Sequence, residues 1–198
     1  PFILQEIGRQ REMTFRAIGE GTNKSVDLDR FDEYYHHLFL WDDAEKQIVG
    51  AYRMGLGSEI FPQYGIDGFY LQELFRLEPE LYPMMEQSIE MGRAYIIAEY
   101  QQKPMPLFLL WKGIVHTTLR FPEHKYLIGG VSISNQFSNF SKSLMIEFMK
   151  SHYYDPYDYT LNMSGSCLYW GAPYPSQSAC TWADEAYMDD LFGQVKAR

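Results

Sequence analysis

Ile3, Ile7, Met13 or Gln10, and Ile18 recur at helical spacing around Arg9, Arg11 and Arg16, and Gly19-Glu20-Gly21 closes the pattern. Residues 2–18 are therefore expected to form an amphipathic helix. A polar loop follows at 21–25, then an acidic stretch at 26–32 expected to be irregular or a single turn. Residues 36–41 and 47–54 read as strands, and the five residues between them, Asp42 to Lys46, fit an antiparallel hairpin. Gly55-Leu56-Gly57 is expected to break the second strand. Further on, the pattern predicts a short strand at 69–71, a helix at 79–87, a strand at 91–98, a helix at 106–120 and a strand at 126–132. Leu144, Met145, Phe148 and Met149 then mark a helix over 140–152. The order predicts an α/β (α+β) domain, with a mixed central sheet carrying helices on both faces. From about residue 158 the chain turns rich in Ser, Tyr, Gly and Pro without a period, and 182–195 reads as a short acidic helix. Residues 1–157 are accordingly expected to be one domain and 158–198 a distinct segment.

A 198-residue chain that is 46% hydrophobic and 17% aromatic can bury a sizeable core. Its formal charge of −9 argues against nucleic acid or an anionic membrane as a general partner, because both would be repelled at long range. Residues 101–131 differ: Lys103, Lys112, Arg120 and Lys125 face only Glu123, with His116 and His124 added, which implies one positive surface. Cys167 and Cys180 are too few for a disulfide framework, so an intracellular, cytoplasmic setting is expected. The apolar run from Met105 to Trp111 is too short to span a bilayer, and the chain opens at Pro1 rather than Met, as a processed or partial polypeptide would.

The candidate chemistry centres on Glu90 and Arg93 in Glu90-Met91-Gly92-Arg93. Three residues apart, they would occupy opposite faces of a regular strand. A bulge near Gly92 would bring both toward one site. In an arbitrary chain such a pair is more often a surface ion pair than a catalytic unit. Asp29 and Asp32 alone would be loop-capping residues. His36 and His37 begin an apolar strand, where one will point inward as a satisfied core histidine rather than a metal ligand, and no His/Cys/Asp cluster has metal spacing, so no metal is expected. Ser132 and Ser134 lack the strand-to-helix elbow of a nucleophilic hydrolase.

Several of these residues carry a family resemblance. Arg11 and Phe15, Asp29-Arg30-Phe31-Asp32, His37-Leu38, Val49-Gly50-Ala51-Tyr52-Arg53 and Glu90-Met91-Gly92-Arg93, in this order and spacing, resemble the N-acyltransferase branch of the GNAT-like superfamily. That branch includes ornithine-lipid and glycine-lipid N-acyltransferases, often labelled hemolysins, and more distantly the acyl-homoserine-lactone synthases. Leu110-Trp111-Lys112-Gly113 and Ile128-Gly129-Gly130-Val131-Ser132 look like later signatures of the lipid-forming members, so the similarity spans about residues 5–157. The resemblance implies transfer of a fatty acyl group from an acyl carrier protein thioester to the amine of an amino acid or amino-lipid precursor. It makes Glu90 the base and Arg93 its orienting or anion-holding partner. Asp29, Asp32, Arg53, Arg11 and Phe15 become acceptor-side residues, and Trp111, Lys112, Lys103 and Gly130 become acyl- or carrier-side residues. The resemblance also implies membrane contact through the lipid product, at the periphery of the inner membrane.

A coenzyme A enzyme of this kind normally places a glycine-rich turn after the first of two splayed parallel strands, where backbone donors cradle pyrophosphate. Here the turn is Tyr100-Gln101-Gln102-Lys103-Pro104-Met105-Pro106, with no glycine and two prolines that lack donors. The expectation is thus no resident cofactor, with carrier protein preferred to coenzyme A as acyl donor. Two other readings stay open: a non-catalytic protein that binds acyl chains or a carrier, and an autoinducer-type synthase that would turn over S-adenosylmethionine.

Overall fold

The computed structural model describes residues 2–133, 137–153 and 160–162. Helix α1 (Phe2–Ala17) leads through a 3-10 turn, Arg30–Glu33, into the hairpin of β1 (His36–Asp42) and β2 (Gln47–Leu56). Then come α2 (Gly57–Tyr64), α3 (Leu71–Leu74), β3 (Phe75–Leu77), α4 (Tyr82–Glu86) and β4 (Ser88–Ile96). The last elements are α5 (Pro104–Arg120), β5 (Tyr126–Ile128), α6 (Asn139–Tyr153) and β6 (Thr160–Asn162).

The chain divides into two compact units. The first comprises 1–69 and 84–130, the second 70–83 and 131–198. In the first, a mixed sheet runs in the order β1-β2-β4-β5, antiparallel except for the parallel pair β4–β5. Helix α1 packs on one face, where Ile7 meets Val49, Ala51, Tyr95 and Ile97. Helix α5 packs on the other, where Ile114 meets Met54, Leu56 and Ile89. The central strand β2 is buried along nearly all its length, because alternate residues serve the two cores. The edge strand β1 keeps alternate residues in solvent. In the second unit β3 and β6 form a two-stranded antiparallel ladder, Phe75 opposite Asn162.

Several expected boundaries shift for local reasons. Residues 69–71 are not a strand: the chain turns there and enters α3, and the strand begins at Phe75. Gly55 does not break β2, which runs to Leu56 before Gly57 opens α2, a helix that the internal Pro62 disguises. The 126–132 strand shortens to Tyr126–Ile128. The 79–87 helix splits into a 3-10 turn, Pro79–Leu81, and α4. The acidic helix expected at 182–195 and both cysteines lie outside the described residues. Among the described residues no helix is long and apolar enough to cross a membrane.

Candidate active site

The face of the sheet under α1 holds a buried set of paired charges. Asp29 caps the 3-10 turn by accepting from the Phe31 N–H (3.0 Å), and Asp32 reaches back to accept from the Asp29 N–H (2.8 Å). This reciprocal capping is local and needs only the Asp-x-x-Asp spacing. It leaves Asp32 facing Arg11 of α1, which donates to both of its oxygens at 3.1 and 2.8 Å. Arg11 also donates through Nε to Asp27 Oδ2 at 2.9 Å and through Nη2 to the Asp27 carbonyl. Arg53 of β2 donates to Asp29 Oδ1 at 2.6 Å and lies 3.3 Å from Asp32 Oδ2. The Arg11 and Arg53 side chains are 1% exposed, so these charges have exchanged water for one another. Burial by itself would raise the Asp32 carboxyl, but the Arg11 hydrogen bonds and charge, with Arg53 and the Asp29 N–H, hold it below its ordinary value.

Strand β4 brings Glu90 and Arg93 to this same face through an irregularity. Ala51 pairs with Tyr95 and Arg53 with Gly92, so two steps of β2 oppose three of β4, and Arg93 takes φ 51°. The extra residue turns the Arg93 side chain toward the acidic loop. Its guanidinium lies 3.6 Å from Asp29 Oδ2 and 4.0 Å from Asp27 Oδ2. Of the two capping aspartates, Asp32 is engaged at both oxygens, whereas Asp29 Oδ2 is buried without a hydrogen bond.

Glu90 is 3% exposed and receives a hydrogen bond from the Tyr35 hydroxyl. It pairs across the sheet with Gly55 on one side and with Ile128 on the other. Gly55 is there of necessity: a Cβ at that position would stand 2.5 Å from the Tyr35 ring. Glu90 is also the last residue of β4 paired with β5. Beyond it Gly129 closes against the Met91 carbonyl, 2.4 Å from where its Cβ would be, and β4 continues from Gly92 paired only on the β2 side.

The remaining sequence candidates lie elsewhere. Phe15 packs into the core between α1 and the sheet. Trp111 (52% exposed) and Lys112 sit on the outer side of α5, across the sheet from Glu90. Lys103 precedes α5 with its ammonium 3.8 Å from the centre of the Tyr100 ring. Gly130 follows β5 in solvent. Tyr35 was missed in the sequence; its only signal there was a Tyr doublet at a strand entry beside the Asp-x-x-Asp turn. Ser58 and His124 do meet, at 3.1 Å, but His124 Nε2 also faces the Ser58 N–H at 3.4 Å while Nδ1 lies 3.3 Å from the Phe121 carbonyl. That histidine closes the start of α2 as an acceptor. Among the described residues no cluster of three or more His, Cys, Asp and Glu could hold a metal ion.

The mixed four-stranded sheet with its helices is consistent with a GNAT-like α/β fold. The model of the acetyltransferase (GNAT) domain fits residues 10–111, slightly more than half of the chain, and the chain belongs to that family. The chain is similar to a glycine N(alpha)-acyltransferase of Bacteroides thetaiotaomicron, 31% identical over 166 residues, covering 78% of this chain and 49% of that protein. A glycine N(alpha)-acyltransferase of Phocaeicola vulgatus is 30% identical over 166 residues, 78% of this chain and 51% of that protein. An L-ornithine N(alpha)-acyltransferase of Rhizobium meliloti is 33% identical over 109 residues, 52% of this chain and 35% of that protein. The chain spans about half the length, or less, of these curated relatives. No solved structure matches it significantly.

Proposed function

We propose that the chain supplies the catalytic domain of an N-acyltransferase that moves a fatty acyl group from an acyl carrier protein thioester to the α-amine of an amino acid, toward an amino-acid lipid. The observation that carries this is Glu90, a buried carboxylate at the point where β4 leaves β5, on the same face as Arg93 and the acidic loop. Glu90 takes a proton from the acceptor's ammonium, directly or through water. The neutral nitrogen attacks the thioester carbonyl, the C–N bond forms, the C–S bond breaks, and of the two protons the nitrogen sheds in all, one ends on the departing thiolate and one in water. The β4 backbone beyond Gly92 offers edge N–H groups for the donor arm and the developing oxyanion. In this reading Arg93 holds an acceptor carboxylate, a role its 22% side-chain exposure supports. Asp29 sets that arginine.

The donor is read from the turn before α5. The N–H groups of Tyr100, Gln101 and Lys103 are spent on the carbonyls of Ile97, Ala98 and Tyr100, and Pro104 and Pro106 have none. A pyrophosphate would find few donors there, whereas Lys103, Lys112 and Arg120 suit an acidic carrier. The test is incubation with acyl carrier thioesters and a panel of amino acids, following thiol release and identifying the product by mass. Glu90→Gln should slow transfer by about 10²–10⁴-fold while the protein stays folded. Transfer at the wild-type rate would remove Glu90 from the chemistry.

A further inference from the structure

The Tyr35 hydroxyl has two acceptors in reach and a single proton to give. It donates to Glu90 Oε2, and the Gly68 carbonyl lies 3.3 Å away. Gly68 O also accepts from Tyr34 at 2.9 Å. The Tyr35 ring is fixed independently of these bonds. It meets Phe31 edge-on at 5.8 Å between ring centres, the Arg53 guanidinium lies 5.3 Å over it, and the missing side chain of Gly55 leaves its seat. The oxygen is therefore held in place while its hydrogen remains free to turn.

A general base must be stable in two states. Ionised, it needs donors; protonated, it needs an acceptor for its new O–H. A buried carboxyl furnished only with donors would resist taking the proton, and one furnished only with acceptors would not start as the anion. We propose that Tyr35 is the positioning residue that serves Glu90 in both states: it donates to the carboxylate before transfer, and afterwards accepts from the carboxylic acid while its own hydrogen turns to the Gly68 carbonyl. The proton count balances. The ammonium proton moves to Glu90, the Tyr35 hydrogen only changes acceptor, and both return when Glu90 gives its proton to the departing thiolate or to water. Tyr34 completes the arrangement as a second donor to Gly68; burial first, with the nearby Glu90 and Tyr64, pushes its hydroxyl up to about 12, so it stays protonated. Among the described residues, the charged or titratable groups near the pair include Arg30 and Tyr64 beside Tyr34, and Arg53 from β2, while Arg93 on the same strand meets Asp27 and Asp29.

This rests on Glu90 being the base, and the experiment separates the two. The protein is labelled with glutamate ¹³C-enriched at the side-chain carboxyl and titrated by NMR, the Glu90 signal being the one lost in Glu90→Gln. Tyr35→Phe keeps the ring and removes the hydroxyl. It should raise the Glu90 midpoint by about one pH unit, because the hydrogen bond the carboxylate loses is roughly twice as strong as the one the carboxylic acid loses. The acidic limb of kcat/KM should move by the same amount, with KM for the acyl thioester unchanged. Gly55→Ala, which crowds the ring off its seat, should shift the midpoint in the same direction. An unmoved midpoint in Tyr35→Phe overturns the role of Tyr35 and leaves Glu90 as base. If Glu90→Gln transfers acyl groups at the wild-type rate, both fall together.

Discussion

The two faces of the four-stranded sheet solve the same packing problem with opposite chemistry. Under α5, Met54, Leu56, Ile89 and Ile114 exclude water by area alone, and neighbours of similar volume would serve. Under α1 the apolar patch around Ile7 adjoins Arg11, Arg53, Asp27, Asp29 and Asp32, whose buried charges tolerate no change of partner. Such pairs contribute little net stability relative to apolar replacements, yet they are costly to break. Their presence on one face only teaches where rigidity of position matters: it is the face that holds Glu90 and Arg93. The charge network is a mould for the site, and the apolar face is the backing that keeps the mould flat.

If so, the faces should respond differently to substitution. Arg11→Met leaves Asp27 and Asp32 buried without their shared cation and should cost about 3–5 kcal/mol in denaturant unfolding. Acyl transfer should be lost with it. Ile114→Ala on the other face should cost about 2–4 kcal/mol through its cavity, with transfer by the folded fraction retained. Equal loss of transfer in the two folded variants would abolish the distinction. Acid offers a gentler probe. Because the Asp32 carboxyl is held below its unfolded value, its contribution is complete above roughly pH 4 and fades as pH falls through the folded value. Asp32→Asn should therefore flatten the acid limb of a stability–pH curve, measured by urea midpoints. An unchanged limb would show that other carboxylates govern it. Smallest of all, Lys112→Ala on the exposed side of α5 should leave stability within about 0.5 kcal/mol, while weakening carrier binding in a salt-dependent way.

The apolar face was the legible one. Period alone located α1, the β1–β2 hairpin and α5 to within a few residues, because each buries a continuous stripe. The helix α2 was hidden by Pro62 and by a glycine that serves as its first residue rather than a breaker. β5 read too long because Ile128-Gly129-Gly130-Val131 has strand composition, whereas Gly129 is needed where two backbones close on each other. The charged face resisted reading for another reason. Arg11 meets Asp32 twenty-one positions away and Arg53 meets Asp29 twenty-four positions away, and nothing local distinguishes those aspartates from ordinary caps. The resemblance singled them out, as groups that hold the acceptor or position the loop over it; their geometry engages both oxygens of Asp32 within the protein and leaves one oxygen of Asp29 facing Arg93. Tyr35 offered only its place in a Tyr doublet at a strand entry.

The surplus residue in β4 has a consequence for anyone who would transplant this strand. From Gly92 back to Ser88 and from Tyr95 onward the alternation is in phase with β2 only because Arg93 and Ala94 together stand opposite a single residue. Deleting Arg93 would not trim a surface arginine. It would remove the irregularity itself and leave Glu90 four positions from Tyr95, still on the same face but without the cation that meets Asp29, whereas a graft that kept every residue against a partner with no matching step would turn the acid into the oil under α5.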